Sequence, residues 1–188
     1  MNRWALPESA VIGGREYAVH ADFRDVLDIV AHLQNQDDTE QERVYIALAL
    51  FYADFDSMPP SDYQEATDYL MLFLNCGEPE TDVKPQPKRI DWEQDAGLIV
   101  SGVNKAAGTE IRSLPFLHWW TFISFFYAIG DGALATVVSI RDKRRKGKKL
   151  DGWEKDFYRE NRETVDFRKK YTSDELEEQE RLKKLLSE

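Results

Sequence analysis

The chain has 188 residues, enough for one domain with a sizeable core, and its formal net charge of −10 opposes general binding to nucleic acid. A single cysteine, Cys76, excludes an internal disulfide framework, and the start Met1-Asn-Arg-Trp-Ala-Leu-Pro7 lacks the apolar run of a signal peptide, so the expected compartment is the cytoplasm. The charge is uneven: residues 1–140 hold 9 basic and 22 acidic side chains, residues 141–188 hold 16 and 13.

The first predicted element is a β-hairpin in Ala10-Val-Ile-Gly-Gly-Arg-Glu-Tyr-Ala-Val19, because Gly13-Gly14 can take the positive φ of a tight primed turn. Two strands alone are marginal, and the helix that follows is their expected platform. That helix runs from about Asp22 to Gln34, with Phe23, Val26, Leu27, Val30 and Leu33 on one face. A second starts at Thr39, where Thr39-Glu-Gln-Glu42 reads as a capping box. Its body, Val44 to Ala53, is apolar nearly all round, which makes it a central helix in this reading. After Pro59-Pro60, the signature Ser61-Asp-Tyr-Gln64 opens a third helix ending near Gly77. Residues 77–89 are rich in proline and charge and form a linker.

Asp91 is expected to cap a fourth helix through about Ala107, with Trp92, Ala96, Ile99 and Val103 on one stripe. The densest signal follows. Phe116 to Tyr127 contains seven aromatic residues, opened by Pro115 and closed by Gly130-Asp-Gly132, and reads as one buried helix over 115–129. It is shorter than the roughly 20 apolar residues of a bilayer span and is interrupted by His118, Thr121 and Ser124, so no membrane association is expected. A sixth helix covers Ala133 to Arg141. Beyond it apolar density falls, leaving Trp153, Phe157, Tyr158, Val165 and Phe167 as a sparse stripe and Thr172-Ser-Asp-Glu175 as a last cap. The fold class is therefore mainly α, about six helices with a small N-terminal hairpin and a charged helical extension. Its parts are an arm and hairpin at 1–20, a helical core at 21–141 and a basic hinge with a mobile charged tail at 142–188.

No catalytic constellation emerges. His20, His32 and His118 lack an i,i+4 partner and there is no cysteine cluster, so no metal site of familiar spacing and no cofactor is expected. Gly97 to Gly102 has phosphate-loop glycine spacing but is followed by Val103-Asn104 where Lys-Ser/Thr is needed, and Asp54-Phe-Asp56 continues into Met58-Pro59 rather than calcium ligands. The run Arg141-Asp-Lys-Arg-Arg-Lys-Gly-Lys-Lys149 has seven cations in nine residues. Arg141, Lys143, Arg144, Arg145 and Lys146 are the candidates for electrostatic contact with an acidic partner surface or with phosphates; a solvated hinge is the plainer reading. Trp92, Phe116, His118, Trp119, Trp120, Phe122 and Phe126 are the candidate partner-binding residues, because one helix face cannot bury so many rings.

The hairpin Val11-Ile-Gly-Gly-Arg-Glu-Tyr-Ala-Val19, Asp22-Phe-Arg-Asp-Val-Leu27, Phe51-Tyr-Ala-Asp54, Pro59-Pro60, Ile90-Asp-Trp-Glu-Gln-Asp-Ala-Gly-Leu-Ile99, His118-Trp-Trp-Thr-Phe122 and Ile140-Arg141, in this order, resemble the bacteriophage gene-product-fifteen family of long-tailed phages over roughly residues 8–145. The resemblance implies a tail assembly chaperone in the host cytoplasm rather than an enzyme. Its implied partners are the tape measure protein and the major tail tube protein, with self-association into a homo-oligomer left open. A structural tail component retained in the virion, or a nucleic-acid-binding regulator using residues 141–149, are the alternatives at this stage.

Overall fold

The structure is a computed structural model that describes residues 4–79 and 87–169, and beyond these residues 171, 172, 175, 177, 178, 181, 182 and 184. It is mainly helical with one two-stranded antiparallel sheet, as the sequence leads one to expect.

Strands β1 (Ser9–Ile12) and β2 (Arg15–Ala18) pair with Ile12 opposite Arg15. Gly13 and Gly14 have φ of 57° and 78°, the positive values a primed two-residue turn demands. Gly13 is further constrained, because a Cβ there would lie 2.1 Å from Asp62 Oδ2. The hairpin's platform is not the next helix. It is α3 (Tyr63–Leu74), whose Tyr69 hydroxyl donates to Ser9 O at 2.9 Å and whose Glu65 accepts from Gly13 N–H at 2.9 Å.

The segment after β2 stitches three distant parts of the chain together. Ala53 N–H donates to Ala18 O and His20 N–H to Phe51 O; three residues further on, Phe23 N–H donates to Leu117 O and Trp119 N–H to Ala21 O. Helix α1 (Phe23–Leu33) starts there, with the Asp22 carboxylate accepting from Arg24 N–H, and buries Phe23, Val26 and Ile29. Helix α2 (Glu40–Phe51) carries the full Thr39/Glu42 capping box and packs against α1. Only Ala47, Leu48 and Phe51 of α2 are buried, however, so the helix that reads as central is two-faced: Tyr45, Ala49 and Leu50 are exposed. A 3₁₀ turn, Pro60–Asp62, precedes α3, and the expected cap is unrealised because Asp62 makes no side-chain cap bond. The linker's residues 80–86 lie outside the described residues.

Helix α4 (Ala96–Ala107) begins four residues later than the sequence pattern suggests, after Asp95 rather than Asp91. The Asp91 carboxylate does cap, but it caps a turn, accepting from Glu93 and Gln94 N–H at 3.0 and 2.9 Å. Trp92 therefore sits on that turn and not on the helix. Gly102, inside α4, lets the chain just past α5 approach closely: a Cβ would stand 2.8 Å from the Ile129 side chain. Helix α5 (Trp119–Tyr127) is also shorter than the expected 115–129. Residues 114–118 instead run along the start of α1, where Arg24 donates to Leu114 O at 3.1 Å and Asp22 accepts from Leu117 N–H at 2.9 Å. Long-range pairing wins there over the helix-start preference of Pro115.

Helix α6 (Ala133–Arg145) passes through the expected boundary at Arg141 without a break, and α7 (Gly152–Glu160) and α8 (Arg162–Val165) follow. Val137, Ile140 and Val165 form a second small core with Leu98, Leu150, Phe157 and Tyr158 against them. Residues 150–168 are thus tied to the body rather than free of it. Further on, Thr172 N–H and Glu175 N–H exchange bonds with each other's side chains at 2.9 and 3.3 Å, which realises the last predicted cap. Among the described residues no helix is long and apolar enough to cross a membrane.

Candidate functional site

His118-Trp119-Trp120 forms the hub of the helical body. His118 is buried and opens α5: its Nδ1 accepts from Trp120 N–H at 3.0 Å, which places the ring proton on Nε2, within 3.0 Å of Pro7 O. The two indoles perform one task together. Trp119 Nε1–H donates to Leu74 O at 3.1 Å and Trp120 Nε1–H to Phe73 O at 2.9 Å. Both carbonyls belong to the last turn of α3, beyond the reach of its i+4 bonds; Phe73 O also accepts from Cys76 N–H at 3.0 Å, so the Trp120 indole is its second donor. Trp119 and Phe122 are buried, Trp120 half-buried. Phe122 stacks on Phe23 at 4.8 Å between ring centres. Trp92 is half-buried against Trp119, Phe122 and Phe126 at 6.0, 6.2 and 5.1 Å. Of the seven aromatic and histidine candidates, Phe116 is half exposed, Trp92, Trp120 and Phe126 are half-buried, and His118, Trp119 and Phe122 are buried. Tyr127, outside the candidate set, is 82% exposed.

The basic run is largely neutralised from within. Arg141 is buried and forms a bidentate pair with Asp95 at 2.6 and 2.9 Å. Its remaining donors go to Val165 O at 2.7 Å, Thr164 O at 2.8 Å and Arg89 O at 3.1 Å, and Phe167 lies over the guanidinium at 4.1 Å. Arg141, on α6, is therefore a clasp between the turn before α4, the end of α8 and Phe167 beyond it, with no donor left for an outside contact. Lys143 pairs with Glu154 and Asp151, Arg144 with Asp166, and Arg145 and Lys146 with Asp142. Lys146 and Arg145 hold the Asp142 carboxyl down at about 2. Gln94 completes the wiring: its side chain donates to Asp166 O at 2.9 Å and accepts from Arg168 N–H at 2.9 Å.

An apolar concavity lies elsewhere, on the outer side of α2, with a volume of about 700 Å³. Val44, Tyr45, Leu48 and Tyr63 line it, with Glu40, Gln41 and Glu42 at one end. Gln41, Val44, Tyr45 and Leu48 stand at the i, i+3, i+4, i+7 positions of one helix face. Tyr45 is 53% exposed and meets Phe55 and Tyr63 edge-on at 5.2 and 6.3 Å. Hydrogen bonds from Thr39 keep the Glu42 carboxyl below its ordinary value, so it stays ionised. The sequence reading misses this face. The apolar ring of 44–53 hides it, since a helix that is apolar all round reads as buried on every side.

Burial pushes the Cys76 thiol up to about 11. Among the described residues no cluster of three or more His, Cys, Asp or Glu side chains could hold a metal ion.

What the fold and surface define is a helical protein with a tightly wired interior and apolar side chains left on its outside. The family model described as Bacteriophage Gp15 protein matches residues 5–167, and the chain belongs to that family, hence among phage structural and morphogenesis proteins. The match reaches past residue 145 to the segment that Arg141 clasps. No curated protein and no solved structure matches the chain.

Proposed function

We propose that this chain is a phage tail assembly chaperone that works by binding rather than by turnover, in the host cytoplasm. It holds the tape measure protein soluble and helps recruit major tail tube subunits during tail morphogenesis. A tape measure is a long chain with apolar helical faces, which aggregate unless covered before the tube encloses them. The observation that carries the reading is membership of a phage family by a chain whose surface leaves Tyr45, Phe116 and Tyr127 half or more exposed. Phe116 and Tyr127 are the exposed rings of the aromatic segment and keep the most area for such a contact.

Co-expression with the tape measure protein of the same phage tests it. The expected result is a higher soluble yield of the client; an unchanged yield contradicts the chaperone reading. Mass spectrometry of purified virions separates the alternative, since a chaperone is absent from them and a structural tail component is present at stoichiometric level.

A further inference from the structure

We propose that the groove between α2 and the start of α3 docks a single amphipathic helix of a partner protein whose apolar stripe is flanked by lysine or arginine. This rests on the reading that the chain acts by holding a helical partner, and it assigns the face and the chemistry of the segment held. The groove follows one helix face through Val44, Tyr45 and Leu48, with Tyr63 as the opposite wall. A volume of about 700 Å³ takes several side chains from one stripe of an incoming helix, the usual arrangement when a helix lies in a groove. Tyr45 is the natural anchor, because tyrosine contributes a large rigid area at low entropic cost and its ring is already braced by Phe55 and Tyr63.

Charge selects the occupant. Glu40 and Glu42 are the charged side chains lining the groove, and neither Lys nor Arg lines it. Glu42 is fixed in place by Thr39 N–H at 2.9 Å and the Thr39 hydroxyl at 2.7 Å, so the negative end of the groove is built into the helix cap. The surrounding field has the same sign, with 22 acidic and 9 basic residues over positions 1–140. An acidic helix would meet uncompensated like charge here, whereas a basic-flanked one is both steered in and registered.

The test uses the full chain and two synthetic helical peptides of about 15 residues with the same leucine stripe, one flanked by lysine and one by glutamate. Tyr45→Ser and Glu40→Lys change exposed side chains, and circular dichroism confirms that both variants keep the fold. The lysine-flanked peptide is expected to bind at least about tenfold more tightly than the glutamate-flanked one at low ionic strength, with the gap closing as salt rises. Tyr45→Ser weakens it by about tenfold or more, and Glu40→Lys narrows or reverses the preference. Equal affinity of Tyr45→Ser and the unaltered chain, or no binding of either peptide, overturns the proposal. Peptides tiling the tape measure protein separate this inference from the functional reading. Tiles that bind with or without Tyr45 overturn the groove and leave the chaperone intact. A lysine-flanked peptide that needs Tyr45 while no tile binds supports the groove and removes the tape measure as its client.

Discussion

At the scale of single residues, the side chains that stand out most in the sequence are engaged in holding the fold. Trp119 and Trp120 close the last turn of α3 by donating to adjacent carbonyls, and Asp22 ties the start of α1 to Leu117. Arg141 makes the same point. Replacing it by alanine leaves Asp95, whose side chain is fully buried, without its counter-ion, and is expected to cost about 3–5 kcal/mol in chemical denaturation. Trp119→Ala should cost about 3–5 kcal/mol, and Trp120→Ala less, since Trp120 is only half-buried. Cys76 gives an independent check on local packing. With its thiol at about 11 against an ordinary 9.0, alkylation near neutral pH should run about a hundredfold slower than for a free cysteine, and full reactivity would show that the α3 end is open in solution.

At the scale of elements, the local signals with one mechanism each are legible in the sequence. Gly13-Gly14 specifies the hairpin turn, Thr39/Glu42 the start of α2, and the α1 stripe its buried face. Elements set by distant partners are not legible. Residues 115–117 carry a helix-start signal yet form no helix, because Asp22, Phe23 and Arg24 supply pairing from almost a hundred positions away. Asp91 caps as read but starts a turn, because Asp95 accepts from Asp91 N–H and is itself held by Arg141. The basic run looks free because the carboxylates that meet it lie on separate turns of chain, Glu154 and Asp166 among them. The clasp makes a truncation series informative. Removing residues 169–188 should leave thermal stability nearly unchanged, whereas removing 150–188 strips Val165 from the small core and two carbonyl partners from Arg141. That larger deletion should destabilise the body; a tail that is a detached arm would show no such loss.

For the molecule as a whole, acid should be the effective stressor. Glu110 is held at about 2 by Arg112 and Asp142 at about 2 by Lys146 and Arg145, against ordinary values of 4.5 and 3.8. Asp22 and Asp166 lie below their ordinary value too: burial raises each, but hydrogen bonds led by Arg24 and Tyr158 respectively outweigh it. A depressed carboxylate contributes its stability fully above the unfolded value and loses it as pH falls toward the folded one. The denaturation midpoint should therefore be flat from about pH 7 to about pH 5 and decline from about 4.5 toward about 2, the exposed pairs contributing less in high salt. A decline setting in well above pH 5 would contradict this.

Taken together, these assignments give the wired aromatic hub to architecture and the outer face of α2 to binding. Hydrogen–deuterium exchange on the full chain, alone and in complex with the tape measure protein, measures that division directly. The account predicts new protection over 40–51 and around Tyr63, with the amides of 118–122 already slow and unchanged by the partner. Protection confined to 116–127, with α2 exchanging as in the free chain, would contradict it.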